Sequence, residues 1–136
     1  MNEDRAFLDT NVLIYAYSAT EPRKRDLARK LKDESPCSVS TQVIHEFIAV
    51  AWRKVGIPLD DVRAIVQKLY ETIPIVDTGK TVILRALSLA MKTGYSYWDC
   101  LILAAALEAG CPILYSEDMQ DGQVIEGLRI VNPFKE

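Results

Sequence analysis

Histidine is nearly absent from this chain. Of 136 residues only His45 is an imidazole, so nucleophile–histidine catalysis has one possible base and no evident partner for it. Cysteine is scarce as well. Cys37, Cys100 and Cys111 make an odd number without ligand-like spacing. Each lies among apolar residues, which points to buried, reduced thiols in a cytoplasmic protein. A basic excess is missing too: the formal net charge is −3, which argues against passive nucleic-acid binding. It argues less against an enzyme whose bound metals supply positive charge locally. No apolar run is long enough to span a bilayer, the richest being Leu101 to Leu107. Asn2, Glu3, Asp4 and Arg5 are polar and mixed in sign, unlike a secretory leader. There is no internal repeat and no low-complexity segment. A hydrophobic share of 49% beside 26% charged residues is ordinary globular composition, and residues 1–136 suit one domain with a real core.

The first informative stretch is Phe7-Leu8-Asp9-Thr10-Asn11-Val12-Leu13, a short apolar run closed by a polar turn and followed by apolar residues at helical spacing. It reads as a buried strand feeding a helix, with Asp9 at the strand's carboxyl end. Two readings of Asp9 stand: a ligand site at that edge, or a simple helix cap, a role that also suits Thr10. Pro22 opens a second helix rich in Arg and Lys, either a basic edge or a solvated face. A strand at Cys37 to Val39 precedes an amphipathic helix from Thr41 to about Val55, capped by Ser40 or Thr41. Glu46 borders its apolar face, and His45 points about 100° away from it around the helix. Gly56 and Pro58 end that helix. Further helices are expected over residues 59–71 and from Gly79 or Thr81 to Met91, with a strand at Pro74 to Val76 between them.

Ser96 and Asp99 have capping-box spacing before the all-apolar run Cys100 to Leu107, so Asp99 too has a cap reading beside a ligand reading. A fourth strand, Ile113 to Tyr115, runs into the acidic turn Ser116-Glu117-Asp118-Met119-Gln120-Asp121, and a fifth spans Leu128 to Val131. Short strands alternating with longer helices argue for a parallel sheet of about five strands with helices on both faces. In that architecture strand ends and the starts of following helices share one edge. Asp9, Glu46, Asp99 and Asp118 all fall there. Four separate caps explain this poorly. Clustered oxygen ligands without His or Cys favour Mg²⁺ or Mn²⁺, and the natural chemistry is metal-assisted attack of water on a phosphodiester.

Four segments carry a family resemblance: Leu8-Asp9-Thr10-Asn11-Val12-Leu13, Val43-Ile44-His45-Glu46-Phe47, Tyr97-Trp98-Asp99-Cys100-Leu101-Ile102 and Leu114-Tyr115-Ser116-Glu117-Asp118. In order and spacing the chain resembles the PIN-domain ribonucleases, and among them the VapC-type toxins of type II toxin–antitoxin pairs. The resemblance implies a three-layer α/β fold and a divalent-metal endoribonuclease that cuts RNA, with Asp9, Glu46, Asp99 and Asp118 as its metal-binding and catalytic acids. It also implies a toxin that inhibits translation, a cognate antitoxin, and a toxin homodimer. Asn11 and Ser116 match positions that support the acids by hydrogen bonding, Asn11 being expected to steady Asp9. Glu117, Asp118 and Asp121 all compete for the fourth acid; the assignment is Asp118.

Other functions remain to be separated from this one. A housekeeping RNA-processing nuclease would use the same acids. An aspartyl-phosphate phosphohydrolase or receiver would phosphorylate Asp9, yet Asp9-Thr10-Asn11 lacks the second acid of the phosphatases. A receiver needs an early acidic pair and a late lysine, for which only Asp4 and Lys135 offer themselves. A non-catalytic interaction module would use Trp52, Trp98, Tyr95 or Tyr97 and has no need of four gathered acids.

Overall fold

The computed structural model describes residues 5–136. Asn2, Glu3 and Asp4, which bear on the leader and receiver expectations, lie outside the described residues. The elements run β1 (Ala6–Leu8), α1 (Thr10–Tyr15), α2 (Pro22–Glu34), β2 (Cys37–Ser40), α3 (Thr41–Val50), α4 (Leu59–Thr72), β3 (Ile75–Val76), α5 (Lys80–Thr93), α6 (Tyr97–Glu108), β4 (Ile113–Tyr115), β5 (Val124–Ile125) and β6 (Leu128–Val131). α3 continues through a wider π-helical turn, Ala51–Val55, and ends where Gly56 adopts φ +83°, a conformation that favours glycine.

The strands form one sheet in the order β3-β2-β1-β4-β6-β5. All neighbours are parallel except β5, which pairs antiparallel with β6. The sheet therefore has six strands where about five parallel ones are expected from sequence. The extra strand is two residues long and reaches β6 through Glu126 and Gly127, both at positive φ. Such a two-residue connection matches the twist of paired strands.

From β1, inside the sheet, the chain winds out through β2 to β3, then returns past β1 to β4. By the right-handed crossover rule, that reversal sends α5 and α6 to the face opposite the earlier helices. It also makes the gap between the carboxyl ends of β1 and β4 the switch point of the sheet, where ligands of open α/β folds bind. α6 is the central helix: Cys100 through Ala106 are all buried, as its unbroken apolar run requires. α5 lies along it, and its core contact comes from Val82, Ala86 and Leu89. Phe7, Leu8, Val39, Phe47, Leu103, Leu114 and Ile130 fill the space between sheet and helices.

The three cysteines are free and buried. Burial pushes the Cys37 thiol up to about 11 and raises Cys111 as well, so both stay protonated and unreactive at neutral pH. No described helix is long and apolar enough to cross a membrane.

Candidate active site

Asp9 stands one residue beyond β1. Its backbone N–H continues the ladder to the Tyr115 carbonyl at 3.0 Å, which fixes the residue against the end of β4. Its side chain is the N-cap of α1, Oδ1 accepting from the Thr10 N–H at 2.7 Å. The cap is thus Asp9 rather than Thr10, but capping occupies only one of its oxygens. Oδ2 accepts from Ser116 Oγ at 2.8 Å, and Ser116 is fully buried. Asp9 itself is 9% exposed. Burial pushes its carboxyl up to about 6; the bonds from Ser116 and Thr10 pull it down, and the charges of Asp118 and Asp99 push it up again.

Each of the other acids comes from a different element. Glu46, in the second turn of α3, accepts from Thr10 Oγ1 at 2.7 Å. Thr10 so placed links the first turn of α1 to α3. Asp99 sits in the first turn of α6, whose cap is Ser96: the Asp99 N–H donates to Ser96 Oγ at 3.1 Å, as capping-box spacing predicts. Asp118 follows β4 and accepts from Asn11 Nδ2. Asn11 therefore steadies Asp118 rather than Asp9, and Ser116 takes the role at Asp9.

One cleft of ≈ 300 Å³ brings these residues together, walled by Asp9, Asn11, Glu46, Asp99 and Asp118 on its polar side. Thr10, Gln42, Ala49, Val50, Trp98 and Ile102 complete it, and no Lys or Arg is among its lining residues. A larger recess of ≈ 640 Å³ opens under the opposite edge of the sheet, beside Arg5, Lys32 and Leu69, and holds none of the four acids. Chemistry rather than size marks the smaller cleft.

The competing acids turn elsewhere. Glu117 accepts from Tyr15 Oη at 2.7 Å and pairs with Lys24. Although burial acts to raise it, Lys24 and Tyr15 together hold its carboxyl below the usual range. Asp121 accepts from the Asn132 N–H at 2.8 Å and from Lys135 at 3.3 Å, and the first of these holds its carboxyl low. Lys135 is thereby engaged away from Asp9. His45 is exposed on the outer side of α3. The basic helix α2 spends several charges locally: Lys24 on Glu117, Lys32 on Asp33 at 2.6 Å, and Arg29 on the Ala16 carbonyl at 2.7 Å.

The donor set is all oxygen, which suits a hard divalent cation. Among the described residues no three His, Cys, Asp or Glu side chains are already drawn into a closed ligand cage. That is compatible with Mg²⁺, which keeps several waters and takes one or two carboxylates directly. Two contacts escaped the sequence reading: Thr10 on Glu46, and Gln42 under Trp98, where Gln42 Nε2 donates to the Trp98 carbonyl at 3.2 Å. Gln42 stands one turn before Glu46, and that spacing was the only available signal.

The PIN domain profile matches residues 6–120. Among solved structures, a toxin–antitoxin complex from Klebsiella pneumoniae is 22% identical, with a TM-score of 0.74, and the match covers 96% of this chain and 99% of that one. Mycobacterium tuberculosis VapC20, a sarcin-ricin loop cleaving toxin, is 18% identical over 83% of this chain and 89% of its own, with a TM-score of 0.68. VapBC-1 from nontypeable Haemophilus influenzae is 19% identical over 96% of this chain and 99% of its own, with a TM-score of 0.66. At these identities the likeness is one of fold. A comparison with curated proteins finds no match.

Proposed function

The chain belongs to the PIN domain family, and on that premise we propose that residues 1–136 form one domain acting as a divalent-metal-dependent endoribonuclease. The single observation that supports this most is the gathering of Asp9, Glu46, Asp99 and Asp118, from four separate elements, into one cleft at the switch point of the sheet. These four acids would hold the cation, Mg²⁺ or Mn²⁺. When bound, it would lower the pKa of an attacking water and offset the charge of the phosphodiester.

The chain's own residues prepare that site. Ser116 and the Thr10 N–H hold Asp9 with both oxygens directed, so little ordering remains when a ligand arrives. Thr10 Oγ1 fixes Glu46, and Asn11 fixes Asp118. Asp9 is withdrawn from bulk water, and its interaction with a cation is stronger in this buried position than at the surface. The absence of Lys and Arg from the cleft wall argues against an aspartyl-phosphate mechanism of the receiver kind, which requires a cation from the protein.

We extend the reading to the toxin of a toxin–antitoxin pair, inhibiting translation in the cytoplasm by cutting RNA. Support comes from the structural neighbours, several of which are toxin–antitoxin complexes. An exposed stripe on α5, Ile83, Leu84, Leu87 and Met91, supports pairing of two copies, since a contiguous apolar row in water calls for a cover.

The partner-free protein should cleave RNA with Mg²⁺ or Mn²⁺ and not in excess chelator. Asp9→Asn and Asp99→Asn should each lower cleavage by about a hundredfold or more while circular dichroism is unchanged, as expected for loss of a metal-holding carboxylate. Cleavage undiminished by chelator would refute the metal mechanism. Expression in a bacterial host with and without the neighbouring reading frame tests the toxin assignment: unaffected growth despite active, abundant protein would refute it.

A further inference from the structure

Asn11 and Tyr15 stand one helical turn apart in α1, so their side chains project from one face of that helix. Each meets an acid of the connection after β4, and the two acids are neighbours in the chain. Asn11 Nδ2 donates to Asp118, and Tyr15 Oη donates to Glu117 at 2.7 Å. An amide and a phenol are both neutral donors, and neither tells one carboxylate from another. The connection is anchored on both sides of this pair: the Ser116 N–H donates to the Val131 carbonyl at 3.0 Å, and the N–H of the buried Met119 donates to Ser116 Oγ at 3.3 Å. Which of the two adjacent carboxylates turns into the cleft is therefore left to side-chain contacts.

Lys24, in the first turn of α2, supplies the missing preference. Its Nζ donates to Glu117 Oε2 and, at 3.3 Å, to Tyr15 Oη, so lysine, phenol and carboxylate close a ring of three hydrogen bonds. The same nitrogen lies 4.7 Å from the centre of the Tyr15 ring and 5.6 Å from that of Phe134. Phe134 is buried, meets Tyr15 edge-on with centroids 4.9 Å apart, and accepts at its carbonyl from Arg23 at 3.1 Å. The cation is thus held from α1, from the chain end and from the β4 connection at once. The side chains of Lys24 and Glu117 are 26% and 24% exposed, so solvent screens the pair only in part. A carboxylate turned this way gains a charge-assisted bond, and the cleft, with no Lys or Arg in its wall, offers none in competition.

We propose that Lys24 is a positioning residue for the metal-binding acids: by drawing Glu117 against α1 and α2, it directs Asp118 toward Asn11 and into the cleft. This rests on the metal-dependent ribonuclease reading above. Lys24 lines no part of the cleft and acts only through Glu117. Its loss frees Glu117, loosens the turn that carries Asp118, and leaves the cation site with one acid less well aimed. RNA binding is untouched, because neither Lys24 nor Glu117 faces the cleft.

Lys24→Met tests this, since it keeps the stem that packs on the two rings and removes the charge. In metal-free protein the side-chain amide resonances of Asn11, read by NMR, should move in Lys24→Met and hold in Lys24→Arg. By titration calorimetry Lys24→Met should weaken Mn²⁺ binding about tenfold, equal to about 1.4 kcal/mol, and Lys24→Arg by less than about twofold. Adding Glu117→Gln to Lys24→Met should cost little more, because the two side chains act as one unit. The Mn²⁺ concentration for half-maximal cleavage should rise by the same factor, with KM for RNA at saturating Mn²⁺ unchanged. Unmoved Asn11 resonances, an unchanged Mn²⁺ affinity in folded Lys24→Met, an Arg variant as impaired as the Met one, or losses that add in the double variant would each overturn the proposal. So would a raised KM for RNA with Mn²⁺ affinity intact, which would assign Lys24 to the substrate. Normal cleavage and Mn²⁺ affinity in Lys24→Met leave the ribonuclease standing and the positioning role refuted. A tenfold loss of Mn²⁺ affinity in a protein that cleaves no RNA does the reverse, and a wild type that binds no Mn²⁺ refutes both.

Discussion

Removing the charge of Asp9 should make the metal-free protein more stable, and the size of the gain follows from its surroundings. The folded state holds this carboxyl at about 6, against 3.8 for the free side chain, chiefly because it is buried. A folded-state pKa raised above the unfolded one means that the native protein binds the proton more tightly than the unfolded chain does. The stability belonging to the protonated form is therefore fully present below about pH 3.8 and is lost as pH rises through 6. At 1.36 kcal/mol per unit, the ionised group at pH 8 costs about 3 kcal/mol. Asp9→Asn escapes that cost but has one accepting oxygen in place of two, so either the Thr10 or the Ser116 bond is remade less well, at about 1 kcal/mol. The net expectation at pH 8 in chelator is a variant about 2 kcal/mol more stable, with Tm higher by roughly 6–8 °C. Thermal unfolding followed by circular dichroism at several pH values reads this directly. The advantage should hold nearly constant from pH 8 to about 7, shrink as pH falls through 6 towards 4, and end as a small deficit. A wild-type protein as stable as the variant at pH 8, or a difference indifferent to pH, would refute the account of Asp9 as a buried, frustrated carboxylate. Added Mn²⁺ should stabilise the wild type more than the variant, which keeps Glu46, Asp99 and Asp118 in the cleft but has lost one of the four charges.

Asp118 and Asp121 are separated by three positions but face different partners, so Asp118→Ala should reduce cleavage about a hundredfold and Asp121→Ala by less than about twofold, read from initial rates. Thr10→Val keeps the volume and deletes the hydroxyl that fixes Glu46, so the Mn²⁺ concentration for half-maximal cleavage should rise about tenfold. An unchanged metal requirement would show that Glu46 needs no such support.

Much of the architecture was legible because it is written in local chemistry. Pro22 opens α2, Ser40 and Ser96 cap their helices, and Gly56 closes α3 and its π-helical turn at positive φ. The all-apolar α6 announced its own burial. β5 escaped notice because two residues, Val124 and Ile125, give no periodicity, and only Gly127 hinted at the turn. The hydrogen bonding of the site was read less well. Asn11 was expected at Asp9 from the position it matches in the family resemblance; it bonds Asp118, 107 positions away. The Thr10–Glu46 bond spans 36 positions and left no trace in the pattern.

The sequence by itself thus determined the elements other than β5, their order, and which acids end strands or start helices, since caps, breakers and apolar periodicity act over a few residues. Only the tertiary structure decided which acids meet. Asp118 joins Asp9, Glu46 and Asp99 while Glu117 turns to Lys24 and Tyr15, and Asp121 turns to Asn132. The physical reason is that three carboxylates within five positions look alike until the β4–β5 connection folds. Their directions are then set by whichever donors the packed sheet and helices place beside each one.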